Sequence, residues 1–134
     1  MTQILAFIAA HMGYLWATAR YRITDSQVTR SNGGDAFLVM ESTDLRLRFV
    51  QDRMQLSLEL QSTLDAAHEW YSIDLVRRLF LGEPESSSLL DASYARFVGE
   101  HLDELDERFG PQRWLTTQGE LQQIRAQRSK ELWG

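Results

Sequence analysis

The chain has no cysteine. Disulfides, thiolate-bound zinc and a cysteine nucleophile are therefore excluded, and the reducing cytoplasm is the compartment most simply reconciled with that composition. Proline is scarce, with Pro84 and Pro111 the only two, and both sit where a helical pattern stops. No hydrophobic run is long enough to span a bilayer. The N-terminal MTQILAFIAAHMGYLWATAR is interrupted by His11 and Gly13 and carries about 15 apolar-run residues, where a span needs roughly 20. It also has no Lys or Arg ahead of that run, unlike a secretion signal, and reads as a core helix. Positive charge is the minority: 14 Lys and Arg against 19 Asp and Glu leave a net charge of -5. Neutralising phosphates needs a basic surface, so neither nucleic acid nor a membrane is an expected partner.

Catalytic signatures are missing too. There is no GxSxG elbow, Ser86-Ser87-Ser88 have no histidine near them in sequence, and Gly33-Gly34 lacks the lysine of a phosphate-binding loop. Hairpin glycines explain the pair better. A non-catalytic protein without a cofactor is the expectation.

What is present suits one domain over residues 1–134. A chain of this length buries roughly two-thirds of its unfolded surface, and 43% apolar with 25% charged residues is ordinary globular composition. Ile4, Leu5, Ile8, Met12, Leu15 and Trp16, widened by Phe7 and Tyr14, recur at helical spacing and predict a first helix from Thr2 to Ala19. The period then becomes two, with Tyr21 and Ile23, a turn at Asn32-Gly33-Gly34, a strand from Ala36 to Glu41, and another turn at Ser42-Thr43-Asp44. RLRFVQDRMQLSLEL, Arg46 to Leu60, follows as a hairpin. Pairing Phe49 with Leu56, Leu47 with Leu58 and Leu45 with Leu60 puts every large apolar residue on one face. Arg46 then faces Glu59, and Phe37 and Val39 lie beside Arg48 and Arg46. That register allows a loop of Asp52-Arg53 or of Gln51 to Met54. Arginine suits the positive φ of a two-residue primed turn poorly, which favours the longer loop.

Helical spacing returns at Ile73, Val76, Leu79 and Phe80, with Ser72 as cap and Gly82-Glu83-Pro84 as stop. A third helix is predicted from Leu89 or Asp91 to Phe109. The last is predicted to start at Thr117, where Thr117 and Glu120 match a capping box, and to end at Trp133. The fold class is thus α+β: an N-terminal helix, a four-stranded antiparallel meander, and three C-terminal helices packed on the sheet.

Two surfaces and one metal pair stand out. EHLDELDER gathers Glu100, Asp103, Glu104, Asp106 and Glu107 against Arg108, about -4 on one helix, and could dock a basic protein partner by complementary potential. The plain alternative is a solvated face. The outer sheet face offers Phe37, Arg46 and Arg48, an aromatic and arginine set of the kind interfaces use, although a cross-strand ion pair and a cation–π contact would explain them equally. His101 and Glu104, three apart on a helix, are the candidate metal pair; a core-edge histidine is the simpler reading. The four tryptophans read as core and helix-end anchors.

YRITDS (Tyr21 to Ser26), LRLRFVQDR (Leu45 to Arg53), EWYSIDLVRRLFLGE (Glu69 to Glu83) and KELWG (Lys130 to Gly134) resemble small bacterial immunity proteins that accompany polymorphic or contact-delivered toxins. The resemblance spans most of the chain and departs at Met54, where a glycine is expected after Asp-Arg. It implies a cytoplasmic, non-catalytic inhibitor of one toxin domain and assigns no functional residues. The alternatives are a small metal- or ligand-binding enzyme built on His101 and nearby carboxylates, and a homodimeric structural subunit associating through the sheet.

Overall fold

A computed structural model describes residues 1–29, 35–85 and 87–133. The expected Asn32-Gly33-Gly34 turn lies outside them. The architecture is α+β: helices α1 (Thr2–His11) and α2 (Tyr14–Ala17), strands β1 (Arg22–Val28), β2 (Ala36–Glu41), β3 (Leu45–Asp52), β4 (Gln55–Ser62) and β5 (Tyr71–Ser72), then α3 (Ile73–Leu81), α4 (Ala92–Glu100), α5 (Leu102–Arg108) and α6 (Trp114–Trp133). The strands form one antiparallel sheet in sequence order, and the short β5 adds to the expected four.

The hairpin register differs from the sequence expectation by two residues, since Leu47 faces Leu60 rather than Leu58 and Phe49 faces Leu58 rather than Leu56. The same shift runs through β2 and β3, where Leu38 faces Phe49 and Met40 faces Leu47. A two-residue slip conserves parity, so every side chain keeps its face. Its cause is the turn: Arg53 and Met54 both take positive φ, 52° and 70°, and close the hairpin in two residues. A glycine at position 54 is what this backbone favours. Met54→Gly is therefore expected to stabilise the fold by about 0.5–1 kcal/mol, read as a higher urea midpoint with an unchanged slope.

Other boundaries also move. The first helix breaks at Met12 (φ -129°, ψ 34°) before Gly13, which leaves Ile4, Ile8, Met12 and Leu15 buried but turns Leu5 and Trp16 outward. The predicted third helix breaks at His101 into α4 and α5. Asp91 caps α4, accepting from the Tyr94 N–H at 3.0 Å. Helix α6 starts three residues before the predicted capping box, at Trp114, so Thr117 is a buried helical residue whose N–H donates to the Arg113 carbonyl. A buried apolar anchor at Trp114 outweighs local capping here.

One core joins the inner sheet face, Leu38, Met40, Leu45, Leu47, Phe49, Leu58 and Leu60, to Ile4, Ile8 and Leu15 on one side and Val76, Val98, Leu105 and Phe109 on the other. The second half of α6 is held differently. Arg125 pairs with Glu69 at 3.1 Å, Arg128 with Asp74, and Glu131 with Arg78 at 2.9 Å, while Leu132 and Trp133 stay exposed. The Arg78 hydrogen bond holds the Glu131 carboxyl below its ordinary range. No described helix is long and apolar enough to cross a membrane.

Candidate functional site

The acidic helix is largely answered from within. Arg20 reaches Asp103 at 2.9 Å and Asp106 at 3.3 Å, Arg108 reaches Glu104 at 3.1 Å, and Arg113 reaches Glu107 at 3.3 Å. Glu100 is exposed and has no ion pair among the described residues. Asp106 is the most enclosed of the five. Its Oδ1 accepts from the Tyr21 hydroxyl at 3.0 Å and the Ser42 hydroxyl at 2.9 Å, pinning α5 to the ends of β1 and β2. Burial and the neighbouring Asp106 charge push the Tyr21 phenol well above its ordinary pKa, so it remains a neutral donor. This carboxylate serves the fold.

His101 and Glu104 turn to different partners. The His101 Nδ1 lies 2.9 Å from the Phe97 carbonyl, and its ring packs on Phe97 and Phe80 with centroids 4.6 Å and 5.5 Å away. Glu104 is taken by Arg108. Among the described residues no three His, Asp or Glu side chains converge as a metal would require.

The outer sheet face is organised otherwise. Parity sets Phe37, Val39 and Glu41 of β2 beside Val50, Arg48 and Arg46 of β3, then Ser57, Glu59 and Gln61 of β4. Arg46 is clamped between Glu41 at 2.5 Å and Gln61 at 2.8 Å. Arg48 donates twice to Glu59, at 2.8 Å and 3.1 Å, and its guanidinium stacks 4.3 Å from the Trp70 ring centre. Two expected contacts are thereby corrected: Glu59 answers Arg48 rather than Arg46, and the arginine's aromatic partner is Trp70 rather than Phe37, which faces Val50. The two-residue register shift accounts for the first. The second follows from β5, whose pairing beside Glu59 brings the preceding Trp70 onto this face.

No family model, curated protein or solved structure matches this chain.

Its chemistry is therefore read from the geometry alone. Val39 is only 7% exposed yet lies outside the core cluster, and its partner across the ladder is Arg48. Next to them the face hollows into a groove of about 370 Å³. Phe37 and Val50 line it together with Arg48 and Glu59, Gln27 and Thr29 border it on the β1 side, and Asp35 and Asp52 stand at its turn end. Every lining residue belongs to a strand or lies directly beside the end of one, and none belongs to a helix. Strand β1 is exposed along all seven residues, Ile23 and Val28 included.

Phe37, Arg46 and Arg48 thus share one face, as the sequence suggested, whereas the acidic set is divided by the break at His101: Glu100 ends α4, and Asp103, Glu104, Asp106 and Glu107 lie on α5. Sequence reasoning missed Trp70, Asp35 and Asp52. For the aspartates the signal lay in alternation, since Asp52 shares the parity of Arg48 and Val50, and Asp35 that of Phe37.

The groove is large enough for a side chain, and the groups around it are preset. Two arginines fixed by carboxylate and amide partners lose little further freedom on binding, and half-buried aromatic and aliphatic surface lies beside them.

Proposed function

We propose that this chain is a non-catalytic binding protein, an immunity-type inhibitor that acts in the cytoplasm by covering the active surface of a cognate bacterial toxin. The supporting observation is the open outer face of the sheet. It combines aromatic, aliphatic and immobilised arginine side chains around a groove, the composition that concentrates binding energy at protein interfaces. The acidic helix ranks second as a contact surface, because Asp103, Glu104, Asp106 and Glu107 already have arginine partners. A residual potential there would still speed the approach of a basic partner.

Co-expression with the product of the adjacent gene, with rescue of its toxicity and calorimetry on the purified pair, tests this reading. Phe37→Ala and Arg48→Glu, each checked for folding by circular dichroism, are expected to weaken binding at least about thirtyfold, as for loss of a hot-spot side chain. Reversing Glu100, Asp103 and Glu107 together is expected to slow association and leave dissociation nearly unchanged. If only the triple reversal abolishes binding, the contact surface is the helix. If no neighbour binds and the chain sediments as a dimer that Arg48→Glu dissociates, the homodimeric-subunit reading replaces this one.

A further inference from the structure

One end of the groove carries a pair of aspartates without ion-pair partners among the described residues. The last ladder pair between β2 and β3 is Ala36 with Gln51, and one step further the same register sets Asp35 opposite Asp52. Both belong to the outer-face parity of Phe37 and Val50, and both line the groove. The Arg53 backbone N–H donates to the Asp35 Oδ1 at 3.2 Å, which holds that carboxylate at the hairpin turn beside Asp52. Among the described residues neither aspartate has an ion-pair partner. Like charges directly opposite on adjacent strands destabilise a sheet, so a cation at this point would remove a penalty as well as add an attraction.

The chemistry of the cation follows from its surroundings. Beside the two carboxylates lie Phe37 and Val50, apolar surface that a calcium or magnesium ion would leave uncovered, and among the described residues no third carboxylate or histidine joins them as a metal ligand. A guanidinium matches two carboxylates through its planar fork of N–H donors, while its aliphatic stem covers apolar surface. We infer that the groove takes an arginine side chain of the partner protein, its head between Asp35 and Asp52 and its stem across Phe37 and Val50. The inference rests on the protein-binding reading above and specifies which group of the partner the face selects.

The test uses the blocked tripeptide acetyl-Gly-Arg-Gly-amide and its citrulline counterpart, which keeps the shape and loses the charge. Titrated into the ¹⁵N-labelled full chain, the arginine peptide is expected to shift the amides of Asp35, Phe37, Val50 and Asp52, and the citrulline peptide to bind at least tenfold more weakly. The Asp35→Asn/Asp52→Asn double variant preserves the acceptor for the Arg53 N–H and is expected to lose that preference. Without any ligand, Asp52→Asn at low salt is expected to melt above the wild type, since it relieves the repulsion. Equal binding of the two peptides, no shift at these amides, or an unchanged or lower melting temperature for Asp52→Asn would each overturn the inference. A toxin partner held equally well by the wild type and the double variant also overturns it while leaving the protein-binding reading intact. Loss of all partner binding in the wild type defeats that reading instead, and the peptide titration still reports on the groove.

Discussion

Phe109→Ala is expected to cost about 3–5 kcal/mol and to lower the melting temperature by more than about 10 °C. Phe109 is fully buried and its ring stacks on Trp114 with centroids 5.2 Å apart. Trp114 in turn meets the edge of Tyr71 on β5 at 6.1 Å, so one aromatic row joins the end of α5, the start of α6 and the last strand. Truncation opens a cavity beneath Trp114 that rigid neighbours fill only partly, and the cavity term adds to the lost transfer free energy. The Ser62 hydroxyl, which donates to the Phe109 carbonyl at 2.7 Å, keeps the backbone in place and hinders collapse. Urea unfolding followed by tryptophan fluorescence is the measurement, and a loss under about 1 kcal/mol would show that the row is not a structural element.

Asp106→Ala is the second large effect, expected at about 2–4 kcal/mol. Most of that does not come from charge. The Arg20 pair is half exposed on the arginine side and contributes little, whereas losing Oδ1 removes the common acceptor of Tyr21 and Ser42. Tyr21 is only 7% exposed, so its hydroxyl would be left a poorly solvated donor. Asp106→Asn keeps an oxygen at that point and is expected to recover more than half of the loss, which separates acceptor from charge. Asp103→Ala, on a side chain 92% exposed, is expected to leave the urea midpoint unchanged. Equal losses for Asp103→Ala and Asp106→Ala would mean that the helix charge, rather than the hydrogen-bonded junction, holds α5 in place.

Periodicity carried most of the fold. The switch from helical spacing to alternation after Tyr21, and back at Ile73, placed the elements in order, and alternation within Leu45, Leu47 and Phe49 assigned each strand residue to its face. Exact register was not readable. Leucines at positions 56, 58 and 60 satisfy the same pattern two residues apart, and the choice between them rests on whether Arg53 and Met54 accept positive φ. They do, against their own preference, because eight residue pairs of β3 and β4 then align their apolar faces over the core. Local propensity lost to tertiary packing again at Thr117, whose capping-box pattern sits inside a helix anchored by Trp114.

By itself the sequence determined the α+β class, which residues share each sheet face, and the gathering of acids between Glu100 and Glu107. Those properties depend on spacing along a few residues, which the chain carries locally. Only the tertiary structure decided what those charges do. Arg20, Arg108 and Arg113 close on the acidic helix, Trp70 arrives over Arg48, and Asp35 and Asp52 come to line one groove, because partners far apart in sequence are chosen by packing and register rather than by spacing. The same patterned chain could present an open acidic helix or a neutralised one. Folding paired most of these acids with arginines and left open the sheet face whose groove Asp35 and Asp52 line.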